Sequence, residues 1–233
     1  MKTKLLHILS GTVFFLGVII GFALAVITVW NRLEAVRYYF TGAKYEPFNG
    51  LRCPVMIAPT EKGIVTAVFN NSTDKEDNFL YRAEISGDIS TRQVEGQILV
   101  PPHQTKSTQL TVDADDVDLQ FFIFVKMTIL PSALHRSQEA VCGLMVVNLL
   151  GLTGTQLSTA AFSLSFLGMA IGLGVLQRTG TDADQNLQRA MQALGLIVLL
   201  TMFAGFMGWW IAGLALSAII VLLIIISIHL AIG

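Results

Sequence analysis

Four stretches of the chain are long, apolar and free of charged residues, and one polar segment separates the first from the others. The uncharged stretches are residues 5–30, 155–176, 190–208 and 211–230. At about 1.5 Å per residue, a helix of roughly 20 apolar residues crosses the ~30 Å hydrocarbon core of a bilayer. The pattern therefore predicts four transmembrane helices. We expect a tight turn near Gly208 between the last two, with Trp209 and Trp210 at the membrane interface.

Between Cys53 and Cys142 the pattern changes to an alternation of apolar and polar residues with period two. Gly, Pro, Asn and Asp punctuate it, and no helix-period segment interrupts it. The predicted strands are residues 63–70, 79–85, 93–100, 108–112, 119–130 and 140–148. Short strands at this spacing predict an all-β sandwich that resembles immunoglobulin or fibronectin domains. The resemblance is one of architecture, since no Trp lies between the cysteines.

These patterns divide the chain into four parts. Residues 1–31 are a transmembrane anchor, and residues 32–50 are a connector with a short helix through Tyr39. Residues 51–149 are an inserted β-sandwich, and residues 150–233 are a membrane region of three helices. The first apolar stretch resembles a signal peptide, with a cleavage site at Ala23-Leu24-Ala25. An uncleaved anchor is favoured, because the stretch exceeds the usual 7–15 apolar residues or so.

The predicted strand 119–130 is apolar on both faces. Its core face carries alternate residues, namely Leu119, Phe121, Ile123, Val125, Met127 and Ile129. Phe122 and Phe124 then lie on the opposite face, outside the core. Because exposed phenylalanines are unfavourable in water, something should cover them. Another chain, the connector 32–50 or the lipid surface are the alternatives, and the first makes the pair an interaction patch.

Cys53 and Cys142 lie at the two ends of the predicted sandwich, on its first and last strands. A pair so placed indicates a disulfide formed in an oxidising compartment. Closing so long a loop would stabilise the domain by about 4 kcal/mol in the chain-entropy model. The alternative is two unrelated buried thiols.

The cysteine pair and the basic residues together indicate a topology. Cytoplasmic loops of membrane proteins carry an excess of Lys and Arg. The residues that mark the cytoplasmic side are Lys2, Lys4, Arg178 and Arg189, whereas Arg32 and Arg37 weaken the bias. We expect a multi-pass protein of the cell membrane, with both termini cytoplasmic and the sandwich extracytoplasmic.

Small residues recur at four-residue spacing in two of the predicted spans. Gly17 and Gly21 form one row, and Gly168 and Gly172 form the other. Such rows let helices approach closely in a membrane, so we expect these glycines to be helix-packing positions. The alternative is that glycine is simply common in membrane helices.

Composition and sequence motifs give little indication of a catalytic, cofactor-binding or metal-binding site. Only 13% of the 233 residues are charged and the net charge is −1, so nothing suggests a nucleic-acid partner. The four histidines have no metal-ligand spacing, and no nucleophile, phosphate-loop or cofactor motif occurs. We therefore predict no catalytic residue, cofactor or metal. The acidic run Asp113–Asp118 reads as a solvated turn, with calcium binding as the alternative.

We therefore expect a non-catalytic integral membrane protein. It would present the sandwich and act as an accessory or assembly subunit, with the lipid bilayer and another membrane protein or a second copy as its partners. One alternative is a small transporter or channel component. The absence of charged residues from the spans argues against ion-coupled transport. The other is a subunit of a membrane enzyme whose site is completed by another chain.

Overall fold

The structure is a computed structural model that describes residues 2–39, 45–88, 90–132, 136–149, 151–179 and 185–232. Residues 40–44 of the connector, His135 and residues 180–184 of the loop before the third predicted span lie outside the described residues. The chain forms two compact units. One is Met1–Val29 with Leu157–Gly233, and the other is Trp30–Gln156. We call them the helical unit and the β unit.

Four α-helices occur in the described residues: α1 Lys2–Tyr38, α2 Gly154–Thr179, α3 Gln185–Phe206 and α4 Trp210–Ile232. Three stretches are long and apolar enough to cross a membrane by length and composition, namely Leu6–Tyr38, Gly154–Arg178 and Leu187–Phe206. The described apolar part of α4 is shorter. The turn before α4 lies at the predicted place, where Gly208 adopts φ 76° and Trp209 N donates to Ala204 O at 2.9 Å.

Helix α1 differs from the prediction of an anchor followed by a separate connector helix. It continues without a break from Lys2 to Tyr38. No Gly or Pro occurs between Trp30 and Tyr38, so nothing in the backbone chemistry ends the helix at the predicted boundary. Its last residues, from Trp30 onward, belong to the β unit.

The β unit contains every predicted strand, all but Gly63–Asn70 with shifted ends, and three short strands that the sequence did not predict. The strands are β1 Glu46–Pro47, β2 Leu51–Arg52, β3 Met56–Ile57, β4 Gly63–Asn70, β5 Asp77–Ile85, β6 Arg92–Val100, β7 Thr105–Val112, β8 Phe122–Ile129 and β9 Gln138–Val146. The first three are only two residues long, which is too short to show an alternation.

Two sheets form a sandwich-like arrangement. The larger has the order β1-β9-β8-β5-β6, with β3 also paired to β9, and the smaller has the order β2-β4-β7. The main neighbours are antiparallel, whereas β1 and β3 run parallel to β9. Both sheets contribute alternate side chains to one core, including Val65 and Phe69 from β4 and Ile123 and Val125 from β8.

Strand β8 confirms part of the predicted core face and corrects the rest. Ile123, Val125, Met127 and Ile129 are fully buried. Leu119 and Phe121, predicted in the core, are instead 53% and 40% exposed. They precede the strand in a tight loop, closed by hydrogen bonds from Asp118 N to Phe122 O and from Phe122 N to Asp118 O. The alternation of a strand does not extend through a turn, so the prediction was wrong for these two residues.

Candidate functional site

The outer face of the larger sheet has three zones, and the first is covered by the end of α1. Phe122 and Phe124 lie on this face and are 5% and 0% exposed. They form a cluster with Ala35 and Val141. The ring of Tyr38 stacks on Phe124, with centroids 4.7 Å apart and planes inclined by 29°. We call this arrangement the helix-end cluster.

Three polar side chains of α1 and its C-terminal extension fix the helix end to the sheet. Asn31 donates its side-chain amide to Val55 O at 2.7 Å. The Tyr38 hydroxyl donates to Asp118 Oδ2 at 2.6 Å, and the Tyr39 hydroxyl donates to Glu84 O at 2.9 Å. Burial raises the pKa of the Tyr39 phenol well above its ordinary value, so the hydroxyl keeps the proton that it donates.

A glycine on β9 allows the helix to come this close. A Cβ atom built on Gly143 would clash with the backbone oxygen of Asn31 and lie 3.0 Å from its carbonyl carbon. Gly143 pairs with Phe124 across the two strands, so the gap in the side-chain layer lies beside the buried phenylalanine. Close approach of one backbone to another is a common reason for glycine inside a strand.

The cover over Phe122 and Phe124 is therefore part of the same chain, in the region predicted as a connector. The pair is not an exposed patch in this structure, which corrects their assignment as residues open to a partner. The hydrophobic pattern of the chain does not point to Asn31 or Gly143. Two features could have indicated them. Gly143 is a glycine inside a strongly apolar predicted strand, and Asn31 is a polar side chain directly after the first uncharged stretch.

The second zone of the outer face is charged. Lys126 Nζ lies 3.7 Å from Glu139 Oε2 and 4.0 Å from Glu84 Oε2. On the next strands, Arg82 Nε donates to Glu95 Oε1 at 2.7 Å. Lys126 directly opposes Glu84, and Arg82 directly opposes Glu95, whereas Glu139 opposes Thr128 and is a diagonal neighbour of Lys126. Cross-strand pairs of opposite charge stabilise a solvated sheet face modestly.

The third zone consists of three exposed leucines, which we call the leucine strip. Leu80 is 42% exposed and Leu99 is 47% exposed, and Leu130 is also exposed. Leu80 opposes Gln97, so Leu99 is its diagonal neighbour on β6, and Leu130 N donates to Leu80 O at 2.8 Å. Leu130 follows Phe122 by eight residues, which at about 3.3 Å per residue places the strip about 26 Å from Phe122 along the strand direction.

The predicted disulfide between Cys53 and Cys142 is present. The two Cα atoms are 6.3 Å apart, and the bond closes a sequence separation of 89 residues. Cys142 lies on β9 in the core, as predicted for the last strand. Cys53 lies between β2 and β3 rather than on a strand. The bridge therefore joins the segment that enters the sandwich to the strand that leaves it.

The acidic run Asp113–Asp118 is a structured turn. Asp113 caps a short 3₁₀ helix, Ala114–Asp116, and its carboxylate accepts from Asp115 N. Arg92 donates to both carboxylate oxygens of Asp116, at 3.1 and 2.7 Å. Hydrogen bonding to Asp116 raises the pKa of Arg92. Among the described residues, no group of three or more His, Cys, Asp or Glu side chains is placed to hold a metal ion.

The predicted packing glycines lie where α1 and α2 approach each other within the helical unit. A Cβ built on Gly17 would lie 2.8 Å from Met169 N, and one built on Gly168 would lie 3.1 Å from Gly17 Cα. A Cβ on Gly172 would lie 2.6 Å from Phe14 Cβ, and one on Gly21 would lie 2.8 Å from Val198 Cγ1 on α3. Larger side chains would therefore separate these helices.

Each unit also has an open cavity among the described residues. A polar cleft of about 470 Å³ in the β unit is lined by Arg52, Asn70, Asp77 and Gln138 above Phe48 and Phe69. An apolar groove of about 580 Å³ in the helical unit is lined largely by phenylalanines of α2 and α3, with Ser158 and Thr159 at its edge. The cleft and the groove contain none of the predicted site residues.

Comparison with known proteins provides no family assignment. No protein family matches the chain, and no curated protein matches it. Among solved structures, it is similar to a Paenibacillus sp. cycloisomaltooligosaccharide glucanotransferase complexed with cycloisomaltoheptaose. The identity is 14%, the TM-score is 0.35, and the match covers 45% of this chain and 14% of that enzyme. So partial a likeness says nothing about the activity of this chain.

Proposed function

We propose that the chain is a multi-pass membrane protein that presents its β unit outside the cytoplasm and acts without catalysis. It serves as an accessory or assembly subunit, and its partner is another membrane protein. The leucine strip carries this proposal, because it is an exposed apolar surface on a folded domain. The helix-end cluster supports it, because the β unit is fixed to the end of a long apolar helix.

The surface of the helices supports a membrane location. Leu167 on α2, Phe203 on α3 and Ile225 on α4 are all more than half exposed, as are further large apolar side chains. In water each such side chain forgoes about 1.5–3 kcal/mol relative to burial. Lipid would cover these side chains, whereas a soluble protein rarely exposes so many.

The strand order supports an immunoglobulin-like sandwich of the fibronectin kind. The seven strands of such folds are shared between two packed antiparallel sheets. Here β2, β4 and β7 form the smaller sheet, and β5, β6, β8 and β9 are the longer strands of the larger. Strand β6 pairs with β5 at the edge of the larger sheet. In the constant-type immunoglobulin domain, the strand at the corresponding place in the chain belongs to the other sheet.

Reporter fusions test the topology. A reporter placed after Gln185 and another placed after Gly233 should both be found in the cytoplasm, because α3 and α4 would form a hairpin that crosses twice. The measurement is paired activity of a cytoplasm-active and an export-active reporter at each site. Opposite locations for the two sites would contradict the hairpin, and export of both would invert the topology.

The leucine strip supports contact with a protein. Protein interfaces have an apolar centre and a polar rim, and the strip has the charged zone on one side. A strip buried by a partner would contribute about 1.5–3 kcal/mol per leucine, which corresponds to roughly tenfold or more in affinity for each. The neighbouring charged side chains are already paired with each other. A partner therefore needs an apolar surface opposite the leucines and no charges to match those beside them.

A double substitution, Leu80→Ser with Leu99→Ser, should release the partner and leave the β unit folded. The tagged full chain is purified in mild detergent from its native membrane, and co-purified proteins are quantified by mass spectrometry. Ile64→Ser is the matched control, because Ile64 is at least as exposed as the two leucines but lies on the smaller sheet. Equal recovery of the partner with the double variant and the control would refute contact through the strip.

A further inference from the structure

The loop between Asp118 and Phe122 holds two apolar side chains outward at a cost in backbone conformation. Leu119 adopts φ 47° and Gln120 adopts φ 72°, in the left-handed region that bulky residues avoid. Leu119 and Phe121 are exposed, whereas the adjacent Phe122 is buried in the helix-end cluster. Two consecutive positive φ angles are typical of a tight hairpin turn, and in this turn Leu119 and Phe121 are held outward.

The loop lies at the end of the β unit where the chain enters and leaves. Val146 N donates to Phe121 O at 2.8 Å, and Met145 N donates to Val55 O at 3.2 Å. The same Val55 oxygen accepts the side chain of Asn31, near the start of the unit. At the exit, a Cβ on Gly154 would meet the backbone of Met56, and the Glu61 carboxylate accepts from Gly154 N at 2.7 Å.

Other exposed apolar side chains come from the segments at this end. Trp30 opens the unit beside Asn31, and Leu149 follows shortly after Val146, and both are exposed. Trp is enriched at the interface between a membrane and water. The three residues of the loop, Leu119 to Phe121, carry no charge. The carboxylate of Asp118 accepts from the Tyr38 hydroxyl and from Leu119 N.

We infer that this loop, which we call the apolar tip, inserts Leu119 and Phe121 into the lipid surface. The inference rests on the membrane location proposed above and adds a second contact between the β unit and the bilayer. The lipid is favoured over a protein partner because the tip lies at the end where the chain connects to helices able to cross a membrane. Insertion would remove two apolar side chains from water and offset the strain of the loop.

Photo-crosslinking at single positions tests the inference. The full chain is made with p-benzoylphenylalanine in place of Phe121, Leu99 or Leu167, in three separate preparations. Each is reconstituted in vesicles of dioleoylphosphatidylcholine, irradiated, and digested for mass spectrometry. Position 121 is the tip, position 99 is an equally exposed apolar site in the leucine strip, and position 167 is an exposed site on α2.

We expect a mass increase of one phospholipid at positions 121 and 167 and none at position 99. Lipid at 167 without lipid at 121 would overturn the inference and leave the membrane proposal standing. A crosslink from 121 to a second copy of the chain would also overturn it. Absence of lipid at both 121 and 167 would overturn both proposals. Leu119 gives a second tip position, which should behave as 121 does.

Discussion

Phe124→Ala is expected to lower the free energy of unfolding of the β unit by about 3–5 kcal/mol. Phe124 is fully buried between the sheet and the end of α1, with Tyr38 stacked on one side and Phe122 5.5 Å away on the other. Truncation leaves a cavity that the helix cannot fill, because Gly143 already allows the backbones their closest approach. The loss of stability should appear in both β8 and the last turns of α1.

Hydrogen–deuterium exchange of the full chain in detergent measures this effect. Protection of amides in residues 122–129 and 31–38 should fall by about two to four orders of magnitude, since about 1.4 kcal/mol corresponds to tenfold. Phe121→Ala is the matched control, because Phe121 is the adjacent residue but is exposed, and it should cost less than about 1 kcal/mol. Equal losses from the two variants would contradict the assignment of Phe124 to a buried cluster.

Removal of the disulfide is expected to destabilise the β unit by about 4–5 kcal/mol, from the loop entropy of a closure near 90 residues. The double variant Cys53→Ala with Cys142→Ala leaves the core without this constraint. Strand β9 should be affected most, because Cys142 lies within it and the strand pairs with β8, β1 and β3. Exchange of amides in residues 138–146 is the measurement.

Reductant provides the control for the disulfide. Treatment of the native chain should reproduce the loss of protection, and treatment of the double variant should add nothing. If reductant destabilised both proteins equally, the effect would have another origin. Mass spectrometry of a non-reduced digest should find the bond in protein taken from its native membrane. Such a bond would also support a β unit outside the cytoplasm, where disulfides persist.

The residue pattern was enough to predict the six longer strands of the β unit and the core-facing residues of β8. Gly63–Asn70 was predicted to the residue, because its alternation is regular and a polar loop ends it. The inward residues of β8 were also predicted, since only one face of that strand carries an unbroken apolar row. The disulfide was predicted from position alone, because the two cysteines lie at the ends of one polar segment.

What lies on the second face of β8 depends on contacts between segments far apart in the chain. Local pattern showed that Phe122 and Phe124 need a cover, but it could not choose among another chain, the connector and lipid. The choice depends on Gly143 of β9 and on Asn31 and Tyr38 of α1, and Tyr38 lies 80 residues before the Asp118 that it contacts. The exposure of Leu119 and Phe121 likewise follows from positive φ angles, which an alternation of residue types does not encode.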